Sequence, residues 1–327
     1  MLTSLVALAL ATSPVPTPPP PASFAFPGDG PAWTDYLVFD PASQRVWVPA
    51  GCRGETYAFD VKTKTWATVK GFATAAMGKR VSGPSSVTFG PNAVYVGNRA
   101  DSKVCAVDRK TMQIASCGDV GGVPDGVQYV TKTQEVWVTT PKTKTLTLLS
   151  TTGGVLKANG TIAIDGSPEG FAVDDDKGVF YTNDEDGDRT YAIDVKTRKV
   201  TATYASKCGG KGPRGLIFDA PRGFLYVGCS DGASVLNLKD NGAVVGHIQA
   251  GEGIDTIDYS ASQHALYLAA GRAGKMFVVG VNDKGALALS SQQETADGIR
   301  AVVLDVQGNA YLPDSKGARL LMVGAPR

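Results

Sequence analysis

The chain has 327 residues, with 32 Lys and Arg against 31 Asp and Glu and a formal net charge of +1. So close a balance provides no global field to draw in nucleic acid or an anionic membrane surface, which disfavours a nucleic-acid partner at the outset. Glycine supplies 39 residues, spread along the chain as expected where many tight turns need positive φ.

Leu5 to Ala11 form a short apolar run followed by small residues, which suits a secretory signal cleaved after Ala11. No Lys or Arg stands near Met1, and a disordered leader is the alternative. PVPTPPPPA then reads as a polyproline spacer that cannot join a sheet interior. Residues 1–22 are thus expected to be a signal peptide and Pro-rich linker, and residues 23–327 a single domain. No later stretch has the roughly 18 uninterrupted apolar residues of a membrane span. The mature chain is expected to be a periplasmic or secreted monomer.

From residue 23 onward one unit recurs. An aromatic residue follows an apolar one at Trp47, Tyr95, Trp137, Tyr181, Tyr226, Tyr267 and Tyr311, at intervals of 48, 42, 44, 45, 41 and 44 residues. Around each lies a short apolar strand, a turn, the aromatic strand, a polar loop and an alternating strand such as TYAFDV, VCAVDR, TYAIDV or SVLNLK. The period is two and never the 3.6 of a helix. Four short strands in about 44 residues make one blade of an all-β propeller, stable only when stacked on its neighbours around an axis. The seventh unit lacks a fourth strand, and SFAFPGDGP at residues 23–31 has the composition to supply it, so that the N-terminal strand closes the last blade.

The same residues resemble the YVTN-repeat, YncE-like family of seven-bladed β-propellers. PDGV, PEGF and PRGL match its Pro-x-Gly start, YVGN and YTND its aromatic strand, and AFDVKTKT and AIDVKTRKV its third strand and turn. The sixth and seventh units depart from it, with EGID and DGIR where proline is expected. The resemblance covers the chain after the leader. It implies the architecture and a mixed range of functions: exported binding proteins, proteins touching single-stranded DNA, and relatives of lactonases.

Alignment of the units on their first strand places Asp35, Ser85, Asp125, Glu169, Arg214, Asp255 and Arg300 at one position, one per blade, where the channel opens. Four acids, two guanidiniums and a hydroxyl suit a cation or a polar ligand carrying both charge signs. The expected function is that of an exported, non-catalytic binding protein recognising a small polar ligand or a protein partner at this mouth, with no catalytic residues assigned. The alternative is a metal-dependent hydrolase or lactonase using Asp35, Asp125, Glu169 and Asp255 with Asn98 and Asn183. No motif calls for a cofactor, and calcium is the ion the acids would take.

The run Asp184, Glu185, Asp186, Asp188 resembles a calcium loop, but its flanks are strands rather than helices, which favours a solvated turn. GCSDG at 228–232 and GKGPRG at 210–215 match a nucleophile elbow and a dinucleotide loop, and both fail because no helix follows. His247 and His264 fall away from the rim, which disfavours a histidine base. Two disulfides are expected, Cys105 with Cys117 and Cys208 with Cys229, each holding a loop near the mouth, with Cys52 unpaired. Trp47 and Trp137 are expected between blades, whereas Trp33 is placed to meet a ligand.

Overall fold

Alternating residues at period two present one apolar face to each side of a sheet, and seven four-stranded antiparallel sheets result, set around one axis in the computed structural model. It describes residues 19–325, without the Lys211 side chain, so the expected signal segment lies almost entirely outside the described residues. Blades one to six span residues 38–69, 84–119, 127–163, 168–205, 213–249 and 257–294. In each, the strands follow one another outward in chain order. Blade seven takes Val303–Leu304, Ala310–Asp314 and Arg319–Val323 from the C-terminal unit, and Ala22–Ala25 as its outer strand.

The closing strand pairs antiparallel with Arg319–Val323, Phe24 opposite Leu320. Phe26, just beyond it, is buried and lies 5.8 Å from the Tyr57 ring and 5.6 Å from that of Trp66, both in blade one. Residues 22–26 therefore cover the seam between the last blade and the first.

The core is a ring of apolar clusters, each built from two adjacent blades. All seven recurring aromatics are buried in it, one per cluster, including Trp47 between blades one and two and Trp137 between three and four. The Asp-x-Lys-Thr grammar has an equally local cause. Asp60, Asp108 and Asp194 each accept backbone N–H bonds from the residues two and three positions on, which closes the turn into the outer strand.

Both expected disulfides are formed, and Cys52 is free. Cys105 and Cys117 face each other directly across strands Lys103–Asp108 and Ile114–Asp119, so this bridge staples the outer edge of blade two rather than a loop at the mouth. Cys208–Cys229 does hold a mouth loop, joining the one that enters blade five to the last residue of that blade's second strand, Phe224–Cys229. An element absent from the expectation is a two-stranded hairpin, Ala75–Met77 with Arg80–Ser82, inserted between blades one and two.

Deleting residues 23–28 strips the seam, and a marked fall in melting temperature is expected. Phe26→Ala alone is expected to lower stability by about 3–5 kcal/mol in chemical denaturation, as for other buried Phe truncations. A melt unchanged by the deletion would mean that the ring closes without this strand.

Candidate functional site

Wedge-shaped blades crowd their inner strands together at the axis, and the residues at the mouth reflect that crowding. Backbones of adjacent blades bond directly there: the Tyr36 N–H donates to Ser85 O at 3.0 Å, the Gly215 N–H to Asp255 O at 2.7 Å and the Asp255 N–H to Arg300 O at 3.1 Å. The position after the rim residue is accordingly small in every blade but the first, which carries Tyr36 there. A Cβ on Gly170 would stand 2.0 Å from Arg214 O, and one on Gly126 would stand 2.0 Å from the Phe171 ring. The Pro-x-Gly signature is thus the local code of the mouth: x is the rim residue, and glycine lets the next blade approach.

Six of the seven expected rim residues, all but Ser85, line one cavity of about 350 Å³. Ser85 is buried with its hydroxyl 3.5 Å from Gly97 O, and it borders an adjoining cavity of about 450 Å³. Three further residues complete the site. Arg99 and Glu185 each follow the second strand of their blade, and both line the smaller cavity. Tyr36 reaches inward to donate its hydroxyl to Asp125 at 3.3 Å, with its ring 5.8 Å from that of Phe171 in blade four.

Arginines from other blades hold most of the acids. Arg99 contacts Asp35 at 2.7 Å and also bonds Asp125. Arg300 reaches Asp35 at 3.2 Å and Asp255 at 3.1 Å. Arg214 bonds Glu185 and lies 3.9 Å from Glu169. Burial opposes the charge on Arg99, but Asp35 and Asp125 outweigh it and raise its pKa. Burial pushes Asp255 up to about 6, against the pull of Arg300.

Glu169 stands apart. It is 8% exposed, and among the described residues its carboxylate accepts no hydrogen bond and has only the distant Arg214 contact. Burial, together with Asp125, Asp255, Glu185 and Asp35, raises its pKa well above the ordinary carboxylate range. Among the described residues no three His, Cys, Asp or Glu side chains form a group that would hold a metal ion.

The acidic run is a turn, but not a fully solvated one. Asp184 is fully buried, pairs with Arg189 at 2.9 Å and accepts the Ser167 N–H at 2.9 Å. Asp188 accepts the N–H groups of Cys208 and Gly209 at 2.7 and 2.9 Å, and Glu185 turns into the mouth. Asn98 and Asn183, the candidates from the hydrolase alternative, are buried and donate to backbone carbonyls of Ala73 and Arg214 at 3.1 and 2.7 Å, away from the cavity. His247 lies on the outer strand of blade five beside Ser234 at 3.0 Å. Ser230 of GCSDG sits between two strands, 3.3 Å from the Arg214 Nε. Trp33 does flank the mouth, 37% exposed, with the Arg80 guanidinium 5.0 Å from its ring centre.

No family model and no curated protein matches the sequence. Solved structures match its shape. A chain of Kuenenia stuttgartiensis hydrazine synthase superposes with a TM-score of 0.74 at 13% identity, covering 90% of this chain and 96% of that one. A chain of the mitotic checkpoint complex gives 0.76 at 12% identity over 99% of both, and the β-propeller domain of Myceliophteria thermophila Cps50 (Swd1) gives 0.75 at 10% over 93% and 99%. Identities this low speak for the fold alone: the chain is a seven-bladed β-propeller, a scaffold that many unrelated functions share.

A carboxyl whose pKa is raised on folding binds more protons folded than unfolded. Its stabilising contribution is complete below the unfolded value of about 4.3 and is lost as pH rises through the folded one. Because Glu169 is such a group, Glu169→Gln is expected to raise the melting temperature relative to the parent by more at pH 8 than at pH 5. Melting curves with a pH-independent offset would show that Glu169 titrates normally.

Proposed function

We propose that the protein is an exported, non-catalytic binding protein that takes a small polar or charged ligand at its channel mouth. The observation that carries this reading is the cavity in which side chains of both charge signs converge from different blades, with its acids held by arginines. Such a rim is pre-organised, so a ligand meets fixed charges and ordering costs are low. The volume suits a small molecule.

The hydrolase alternative lacks comparable support: three of its four acids, Asp35, Asp125 and Asp255, are engaged with Arg99 and Arg300, and its asparagines with backbone carbonyls. Export is supported by the two disulfides, which persist in oxidising compartments.

Ligands found by thermal-shift screening of polar metabolites are expected to lose binding when Asp125, Glu169 and Arg214 are changed together to Ala; retention of every ligand would remove the mouth from consideration. For export, alkylation of the natively produced protein without reductant, followed by mass spectrometry, is expected to mark one thiol, Cys52. Five marked thiols would contradict an oxidising compartment.

A further inference from the structure

The binding reading leaves the ligand's chemistry open, and two neighbouring features narrow it. The first is Glu169. In a site where Asp35, Asp125 and Asp255 each have an arginine within 3.2 Å or closer, this nine-tenths-buried carboxylate has its one cation at 3.9 Å, and that cation is bound more tightly by Glu185. A buried carboxylate of this kind gains from a positive partner brought in from outside, and a charge-assisted N–H bond is the strong form of that contact. An incoming anion would meet a lining of five acidic side chains, Asp35, Asp125, Glu169, Glu185 and Asp255, and four basic ones, Arg99, Lys142, Arg214 and Arg300, which offers it no excess of positive charge.

The second feature is the inserted hairpin. Met77 lines the Glu169 cavity and also the adjoining one, where Val81 and Trp33 are found with it. All three are large apolar side chains left exposed, by 36%, 43% and 37%. The hairpin is rooted on the mouth itself: Asn98 donates to Ala73 O at 3.1 Å and the Arg99 N–H to Gly83 O at 3.0 Å, one bond on either side of it. An apolar wall thus runs from the cavity that Glu169 lines, at Met77, into the adjoining one, at Val81 and Trp33, fixed to the same loop that carries Arg99.

Resting on the binding reading above, we propose that the ligand is a small organic cation, a primary ammonium with an apolar or aromatic flank, its ammonium seated on Glu169 and its flank against Met77, Val81 and Trp33. The ammonium takes the place of the proton that Asp125, Asp255, Glu185, Asp35 and burial otherwise favour on Glu169, with Arg214 the cation at 3.9 Å and the Tyr36 hydroxyl close enough to feel the Glu169 charge. Binding therefore releases a proton and tightens as pH rises, over a range in which an alkylammonium stays charged.

Isothermal titration calorimetry of the full folded protein with phenethylammonium chloride tests this, with ethylammonium, 2-phenylethanol and phenylacetate in parallel. Phenethylammonium is expected to bind more tightly than 2-phenylethanol and phenylacetate by roughly tenfold or more, the factor that about 1.4 kcal/mol represents. Its affinity should be lower at pH 5.5 than at pH 8. Glu169→Gln should weaken it by a similar factor and reduce the pH dependence to the part contributed by Asp255, itself pushed up to about 6 by burial, while circular dichroism shows the variant folded. Met77→Ala with Val81→Ala should narrow the preference for phenethylammonium over ethylammonium. Undiminished binding to Glu169→Gln, an unchanged preference in the hairpin variant, or phenylacetate binding as tightly would overturn the assignment. If phenethylammonium fails but another polar compound binds and is lost in the Asp125, Glu169, Arg214 triple variant, the assignment falls and the mouth survives as the site. If the triple variant keeps phenethylammonium, both fall.

Discussion

Backbone meets backbone where the inner strands of adjacent blades approach the axis, and the rest of the molecule is arranged around that contact. The bonds from Tyr36 to Ser85, Gly215 to Asp255 and Asp255 to Arg300 run between blades and pass through rim residues themselves. Rim side chains are therefore mounted on the most constrained part of the ring. A Cβ at Gly170 has no room beside Arg214 O, so the small residue that permits this approach also sets where Glu169 points its neighbourhood of charge. Fold and site share one physical cause, the taper of a sheet stack closed into a circle.

The electrostatics follow from the same crowding. Carboxylates from blades one, three, four and six cannot share a small buried volume without compensation. Arg99 and Arg300 provide it across blade boundaries, each bridging two acids. These pairs lock the relative rotation of blades as much as they neutralise charge, because each arginine must satisfy partners on two different wedges. Arg214 is drawn away to Glu185, and the deficit falls on Glu169. An incompletely compensated buried charge is a poor structural device, which is why it is informative about binding.

Much of this was legible in the repeat. The aromatic every 41 to 48 residues marks a buried position in every blade, and the residue at the start of each first strand marks the rim. Arg99 and Glu185 escaped because the alignment was read at one position per blade. Each stands four residues after its recurring aromatic, where the other blades carry Gly51, Pro141, Ser230, Gly271 and Ser315, so a second register would have exposed the two charges. Tyr36 was likewise visible as the single large residue at a position otherwise filled by Ser86, Gly126, Gly170, Gly215, Thr256 and Ala301. The hairpin at Ala75–Ser82 shows in the longest interval, the 48 residues from Trp47 to Tyr95. Its pairing was hidden because three-residue strands with exposed Met77 and Val81 lack an alternating pattern long enough to read.

The two disulfides divide the labour differently, and the difference bears on how rigid the mouth is. Cys105–Cys117 joins strands already paired in one sheet, so it secures an edge far from the axis. Cys208–Cys229 instead ties the loop entering blade five to the end of that blade's second strand. Between those cysteines lie Gly212, whose near neighbour in the adjacent blade is the Glu185 backbone, and Arg214, the partner of that same Glu185. Asp188 holds the loop from the other side through the N–H groups of Cys208 and Gly209. Covalent and hydrogen-bonded restraints thus converge on the one arginine whose position decides how strongly Glu169 is compensated. Arg214, at the start of the strand this loop leads into, bonds Glu185 and stands 3.9 Å from Glu169, so the restrained loop delivers its one cation to the neighbouring acid.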